Sequence, residues 1–153
     1  MSTSTNTSPL FTLEKIYLKD VSVEVPKAPK IFLSKGQPNI DLSLNFTVEP
    51  MDGSYFQVIL NVEVNARLED EQMLLIVVDQ AGIFQMQNID AAQAELLKNI
   101  ECPNLIFPFA REVIADLSTK AGFAPILLAP VNFAYLYQQK QNVQNNTDSR
   151  VIN

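Results

Sequence analysis

The sequence predicts an α+β fold in which strands come first and helices last, and three observations predict it. Between Asn39 and Leu68 apolar and polar residues alternate almost one for one; from Met73 to Val78 the alternation stops in an unbroken apolar run; after Gly82-Ile83-Phe84 the apolar spacing lengthens from two to about 3.6. With 153 residues the chain is long enough to bury one core, so a single domain is expected.

Residues 11–25 read as the first strand. Its apolar parity, set by Phe11 and Leu13, breaks around Lys15 to Lys19 and resumes at Val21, Val23 and Val25, a slip that predicts a bulge. Pro26, Pro29 and Pro38 punctuate a stiff crossing segment over 25–38 in which no helix is expected. The second strand places Ile40, Leu42, Leu44, Phe46 and Val48 on one face. After a turn at 50–54, the third does the same with Phe56, Val58, Leu60, Val62, Val64, Ala66 and Leu68. Glu69 to Glu71 form a tight turn into the fourth strand, so this pair is an antiparallel hairpin. The fourth strand, Met73-Leu74-Leu75-Ile76-Val77-Val78, is apolar on both faces. One domain of this size has helix enough for one face, which leaves the other for a second subunit or a bound chain.

Asp90 is the expected N-cap of a short helix over 91–99, and a longer helix starts near Pro103 and stops at Gly122. Leu105, Ile106, Phe109, Ala110, Val113, Ile114 and Leu117 form its predicted inward stripe. An extended linker, Pro125 to Pro130, leads to a short last helix capped by Asn132 and carrying Phe133, Leu136 and Tyr137. The domain is expected to span 11–137, between a flexible N-terminus over 1–10 and a polar, disordered tail over 138–153.

A net charge of −6 opposes binding to a phosphate backbone or an anionic membrane surface. No apolar run approaches the roughly 20 residues of a spanning helix, and Met1 to Leu10 lack the basic start and apolar block of a secretory signal. A cytoplasmic location is therefore expected. Cys102 is the only cysteine and reads as a small apolar residue.

There is no histidine, which removes the commonest general base and metal ligand, and four glycines leave no phosphate-binding loop; no cofactor, metal or catalytic site is expected. Glu69, Asp70 and Glu71 fit a solvated turn. Asp20 and Glu24, with Ser22 between them, fall on one strand face roughly 13 Å apart by strand rise, where an ordinary solvated face is the plain reading.

The segments Cys102-Pro103-Asn104-Leu105-Ile106-Phe107-Pro108-Phe109-Ala110-Arg111-Glu112 and Leu128-Ala129-Pro130-Val131-Asn132-Phe133 resemble the SecB family of protein-export chaperones. Ile16-Tyr17, Lys19-Asp20, Val25-Pro26-Lys27-Ala28-Pro29 and Gly82-Ile83-Phe84 support the likeness. The resemblance implies a four-stranded antiparallel sheet with helices packed on one face, assembled as a homotetrameric dimer of dimers. It further implies ATP-independent binding of unfolded precursor polypeptides and their delivery to the SecA translocation motor. The family's motor-binding positions carry over onto Asp20, Glu24 and Leu75, while a fourth, acidic in the best-known members, is Val77 here, with Asp79 nearby on the same face. For the client groove the family points to Phe32, Phe107 and Phe109, with Phe84 and Phe133 as further candidates.

A small oligomeric enzyme of the hotdog kind is the alternative from another class, though that fold places its long helix early rather than last. A SecB-like chaperone dedicated to a toxin-antitoxin partner is a third reading.

Overall fold

The computed structural model describes residues 8–151, with side chains through residue 145. Four strands, β1 (Leu10–Glu24), β2 (Asn39–Pro50), β3 (Tyr55–Leu68) and β4 (Glu71–Gln87), precede three helices, α1 (Ala91–Leu96), α2 (Cys102–Lys120) and α3 (Phe133–Val151). The strands form one antiparallel sheet in the order β1-β4-β3-β2, so β4 and β3 are central and β1 and β2 are edges.

β4 is seventeen residues long, well beyond its apolar run, because it spans the lengths of both neighbours. The parity slip in β1 is resolved by two irregularities, between Leu13 and Lys15 and between Leu18 and Asp20. Each absorbs one residue, so apolar residues on both sides of the slip return to the same face. The crossing segment contains a 3-10 turn, Lys30–Leu33, where no helix was expected; the turn is short enough for the prolines to flank it, and it drives Ile31 into the core.

α2 lies across β4 and β3. Under it, Val58, Leu60, Val62, Val64, Leu74, Ile76, Val78 and Phe84 are fully buried with Ile106, Ala110 and Ile114. Asp90 caps α1 as expected, its Oδ1 accepting from the Gln93 N–H at 2.8 Å. The break predicted between the first two helices is absent: α1 runs into α2 through a π turn, Leu97–Glu101, in which the Cys102 N–H donates to the Leu97 carbonyl five residues back. Pro103 lacks an N–H and its ring crowds the preceding turn, and the wider turn accommodates it.

Two further expectations are corrected. The buried face of α2 is Cys102, Pro103, Ile106, Phe107, Ala110, Ile114 and Ser118, so Phe107 faces inward while Leu105 and Phe109 are exposed. This helix is apolar over more than one stripe, and its seating on the sheet decides which stripe is covered. The predicted tail is helical from 138 through Val151, continuous with α3; residues 1–7 and 152–153 lie outside the described residues. Nothing between Phe133 and Val151 breaks a helix, and glutamine and lysine propagate one readily from an anchored start. Phe133 supplies that anchor, edge-to-face with Phe107 at 6.0 Å.

Candidate functional site

Among the uncovered apolar surfaces of the described residues, two gather residues singled out from sequence. The first is a groove of about 660 Å³ at one end of the sheet. Ile40 and Leu42 of β2, with Leu68 and Met73 from the β3–β4 hairpin, form its floor; the crossing segment is one wall and residues 122–129 are the other. Leu127, 77% exposed, stands at its lip and Phe32 is 47% exposed, while Leu33, next to Phe32 in the crossing segment, is 85% exposed.

Local chemistry fixes the two walls and where they meet. α2 ends at Gly122, whose φ of +98° suits glycine, and the Phe123 N–H turns back to the Ser118 carbonyl at 3.0 Å. Ser118 is fully buried; its hydroxyl donates to the Ile114 carbonyl at 2.9 Å and accepts the Ile126 N–H at 2.9 Å, tying the linker to the helix. On the opposite wall Phe32 stacks on Phe123, with centroids 5.0 Å apart, and presses on Gly122 so closely that an added Cβ would lie 2.8 Å from the ring. Ser118, Phe123 and Leu127 were missed in sequence because a buried serine and an irregular linker carry no periodic signal.

The five phenylalanines named from sequence do not share one surface. Only Phe32 lines this groove. Phe84 is fully buried, stacked between Phe11 and Phe56 at 5.7 and 5.6 Å, and Phe107 and Phe133 are core residues as well. Aromatic rings on covered strand and helix faces pack inward because that removes the most apolar area from water. Phe109 is exposed, on the outside of α2. A second hollow runs alongside, between Leu44 and Phe46 of β2 and Phe133, Leu136, Tyr137 and Val143 of α3, with the Lys140 ammonium 5.5 Å from the Phe46 ring centre.

The second region is the sheet face turned away from the helices. In the register, Glu24 pairs with Leu75, Ser22 with Val77 and Asp20 with Asp79, so the sequence-predicted residues lie side by side across β1 and β4. Leu75, Val77 and Ile83 on β4 and Ile59 on β3 are only half-buried, which leaves the second apolar face of β4 without a cover in this chain. Asp79 is half-buried and accepts from the Asn61 amide at 2.6 Å; Asp20 accepts the Val21 N–H at 3.0 Å. Farther along, Tyr17 donates to Gln57, which donates to Glu49 at 3.0 Å.

Other candidates for chemistry are separate from both regions. Glu69, Asp70 and Glu71 are solvated in the hairpin turn. Burial, assisted by Glu101, pushes the Cys102 thiol up to about 12, so it stays protonated and inert as a nucleophile.

The family model described as "Preprotein translocase subunit SecB" matches residues 4–144. The protein-export protein SecB of Azoarcus sp. is 46% identical over 144 residues, covering 94% of this chain and 95% of its own length. That of Chromobacterium violaceum is 44% identical over 144 residues, covering 94% and 96%. Among solved structures, a SecB-like chaperone of Mycobacterium tuberculosis, solved in complex with a peptide from the HigA1 antitoxin, matches with a TM-score of 0.64 at 18% identity, over 79% of this chain and 87% of that one. A sheet with helices on one face, uncovered apolar surface at its end and on its back, and near-full-length agreement with these relatives have one account: the chain belongs to the SecB family of protein-export chaperones.

Proposed function

We propose that this protein holds unfolded precursor polypeptides in its apolar groove without nucleotide, in the cytoplasm, and hands them to the SecA motor through the outer face of its sheet. The groove carries this reading. Burying a leucine or phenylalanine side chain contributes about 1.5–3 kcal/mol, and Phe32, Leu33, Ile40, Leu42 and Leu127 all remain in water until something covers them. Such a surface favours any extended chain with bulky side chains, without selecting a sequence. Phe84, Phe107 and Phe133 are core residues outside the groove lining, and Phe32 is the one of the five that meets the client.

Asp20, Glu24 and Leu75 form the motor-docking face in this reading. Their adjacency in the register supports it, as does the apolar strip beside them.

Assembly as a dimer of dimers is supported by apolar surface that one copy leaves bare on the helix side. On β1, Leu13, Leu18, Val21 and Val23 are exposed on the helix side, and α2 presents Leu105 and Phe109. Gln80, cross-strand from Leu18, is buried with its Oε1 unbonded among the described residues. The antitoxin peptide on the Mycobacterium neighbour favours a dedicated-partner role for that protein; the relatives at higher identity are export proteins, which favours the export role here.

The purified protein is expected to suppress aggregation of a refolding client at stoichiometric concentration with no nucleotide added, and to migrate as a tetramer in native mass measurement. Unchanged client aggregation would overturn the holding role.

A further inference from the structure

We propose that Glu63 and Asp79 supply the negative charge that Val77 does not, so that the outer face docks a basic partner segment across three strands rather than two. The inference rests on reading this face as the motor-docking surface.

The register carries it. On the side away from the helices, Val77 lies between Ser22 on β1 and Glu63 on β3, Leu75 between Glu24 and Asn65, and Asp79 between Asp20 and Asn61. Asp20, Glu24, Glu63 and Asp79 thus ring a strip made by Leu75 and Val77. Directly opposed side chains have Cβ atoms roughly 4.5–5.5 Å apart. A cation seated over position 77 is therefore within reach of a carboxylate at 63, and well inside a Debye length of about 8 Å.

Two independent features point to a cation from outside. Asp20 and Asp79 are cross-strand partners, and like charges directly opposed destabilise a sheet unless a cation joins them. The Asn61 amide holds the Asp79 carboxylate in that position. Among the described residues the one ion pair is Lys120–Asp116, on α2, so no described residue forms an ion pair with any of these four carboxylates. On this face Lys15 and Arg67 stand toward opposite ends, opposite Ile83 and Gln72. Glu63 is exposed, and among the described residues its carboxylate takes part in no hydrogen bond or ion pair.

The occupant that fits is a protein segment with lysine or arginine beside apolar side chains, the apolar groups resting on Leu75 and Val77. A second copy of this chain brings the same carboxylates to the contact and is repelled.

The test titrates the full-length protein with purified SecA across a range of salt. Asp20→Lys with Glu24→Lys is the control for the docking reading. At low salt Glu63→Gln is expected to weaken binding roughly threefold and Glu63→Lys about tenfold, both with a shallower salt dependence. Asp79→Asn, which keeps a carbonyl for Asn61, is expected to act like Glu63→Gln, and Val77→Glu to strengthen binding. Client holding serves as the folding check, since none of these residues touches the groove. If the control pair leaves SecA binding unchanged, the docking reading falls. If the control weakens binding while Glu63→Lys and Asp79→Asn leave both affinity and salt slope as they were, that reading stands and this inference is wrong.

Discussion

The groove and the outer sheet face are both apolar and both uncovered, yet they are built in opposite ways. The groove walls are irregular backbone held at a few points: Ile31 in the core, the Phe32–Phe123 stack and the Ser118–Ile126 bond. Of their lining residues, Phe32 and Leu127 are exposed. On the outer face every position is dictated by a ladder of hydrogen bonds, so the spacing of Glu24, Leu75, Asp20 and Asp79 is set by register. A surface of the first kind suits many partners weakly selected; one of the second kind suits a single partner recognised by charge pattern. In the proposed reading, the fold separates promiscuous from specific recognition by placing one on loops and the other on a sheet.

Lowering the stability of the sheet on which both regions stand tests that separation most severely. Phe84 of β4 is stacked between Phe11 and Phe56 in the core, outside both regions, so Phe84→Ala is expected to cost about 3–5 kcal/mol and, by destabilising the sheet, to weaken client and motor binding together. Chemical denaturation alongside both binding assays checks this; loss of one activity alone would show that the regions do not share that support.

Phe32→Ser combined with Leu127→Ser acts on the groove only. Both side chains are already partly hydrated, so a loss of about 2 kcal/mol is expected, near thirtyfold in affinity for an unfolded polypeptide, with SecA affinity unchanged. A fluorescence titration with a denatured client measures it.

Ser118→Ala sharpens the comparison further, because it loosens one groove wall without touching a lip residue. The buried Ile126 N–H loses its acceptor, and a cost of about 1–2 kcal/mol is expected, with faster hydrogen exchange at Ile126. Protection in β1 and β4 is expected to be unaffected; equal loosening there would mean that wall and sheet open as one unit.

Cys102→Ala should do least, removing a buried atom remote from both regions for about 1 kcal/mol or less. In the native protein the thiol, pushed up to about 12, is expected to react with alkylating reagents at pH 8 on the order of a thousandfold more slowly than in the unfolded chain. Fast labelling of the folded protein would mean that the core beneath α2 opens readily.

Elements defined by local chemistry were legible in advance, and the reasons are specific. The alternation in β2 and β3, the Asp90 cap and the Gly122 stop each need only a few neighbouring residues, and each is present. The slip in β1 was readable as a bulge because a change of parity has few other remedies. Inward-facing positions on α2 were read partly amiss, with Phe109 for Phe107, since two apolar stripes compete there and the sheet chooses between them. The groove aromatics were the least legible: Phe32 and Phe84 are chemically alike, and their burial depends on which strand or helix passes above.

By itself the sequence determined four strands before helices, an acidic chain, a fourth strand apolar on both faces, and Asp20 and Glu24 on one strand face. Only the tertiary structure decided that Glu63 stands beside Val77, that β1 keeps a bare apolar edge on the helix side, and that a buried serine holds the groove wall. Periodicity specifies which side chains share a face of an element. What lies against that face depends on contacts between residues far apart in the chain, and no local pattern records them.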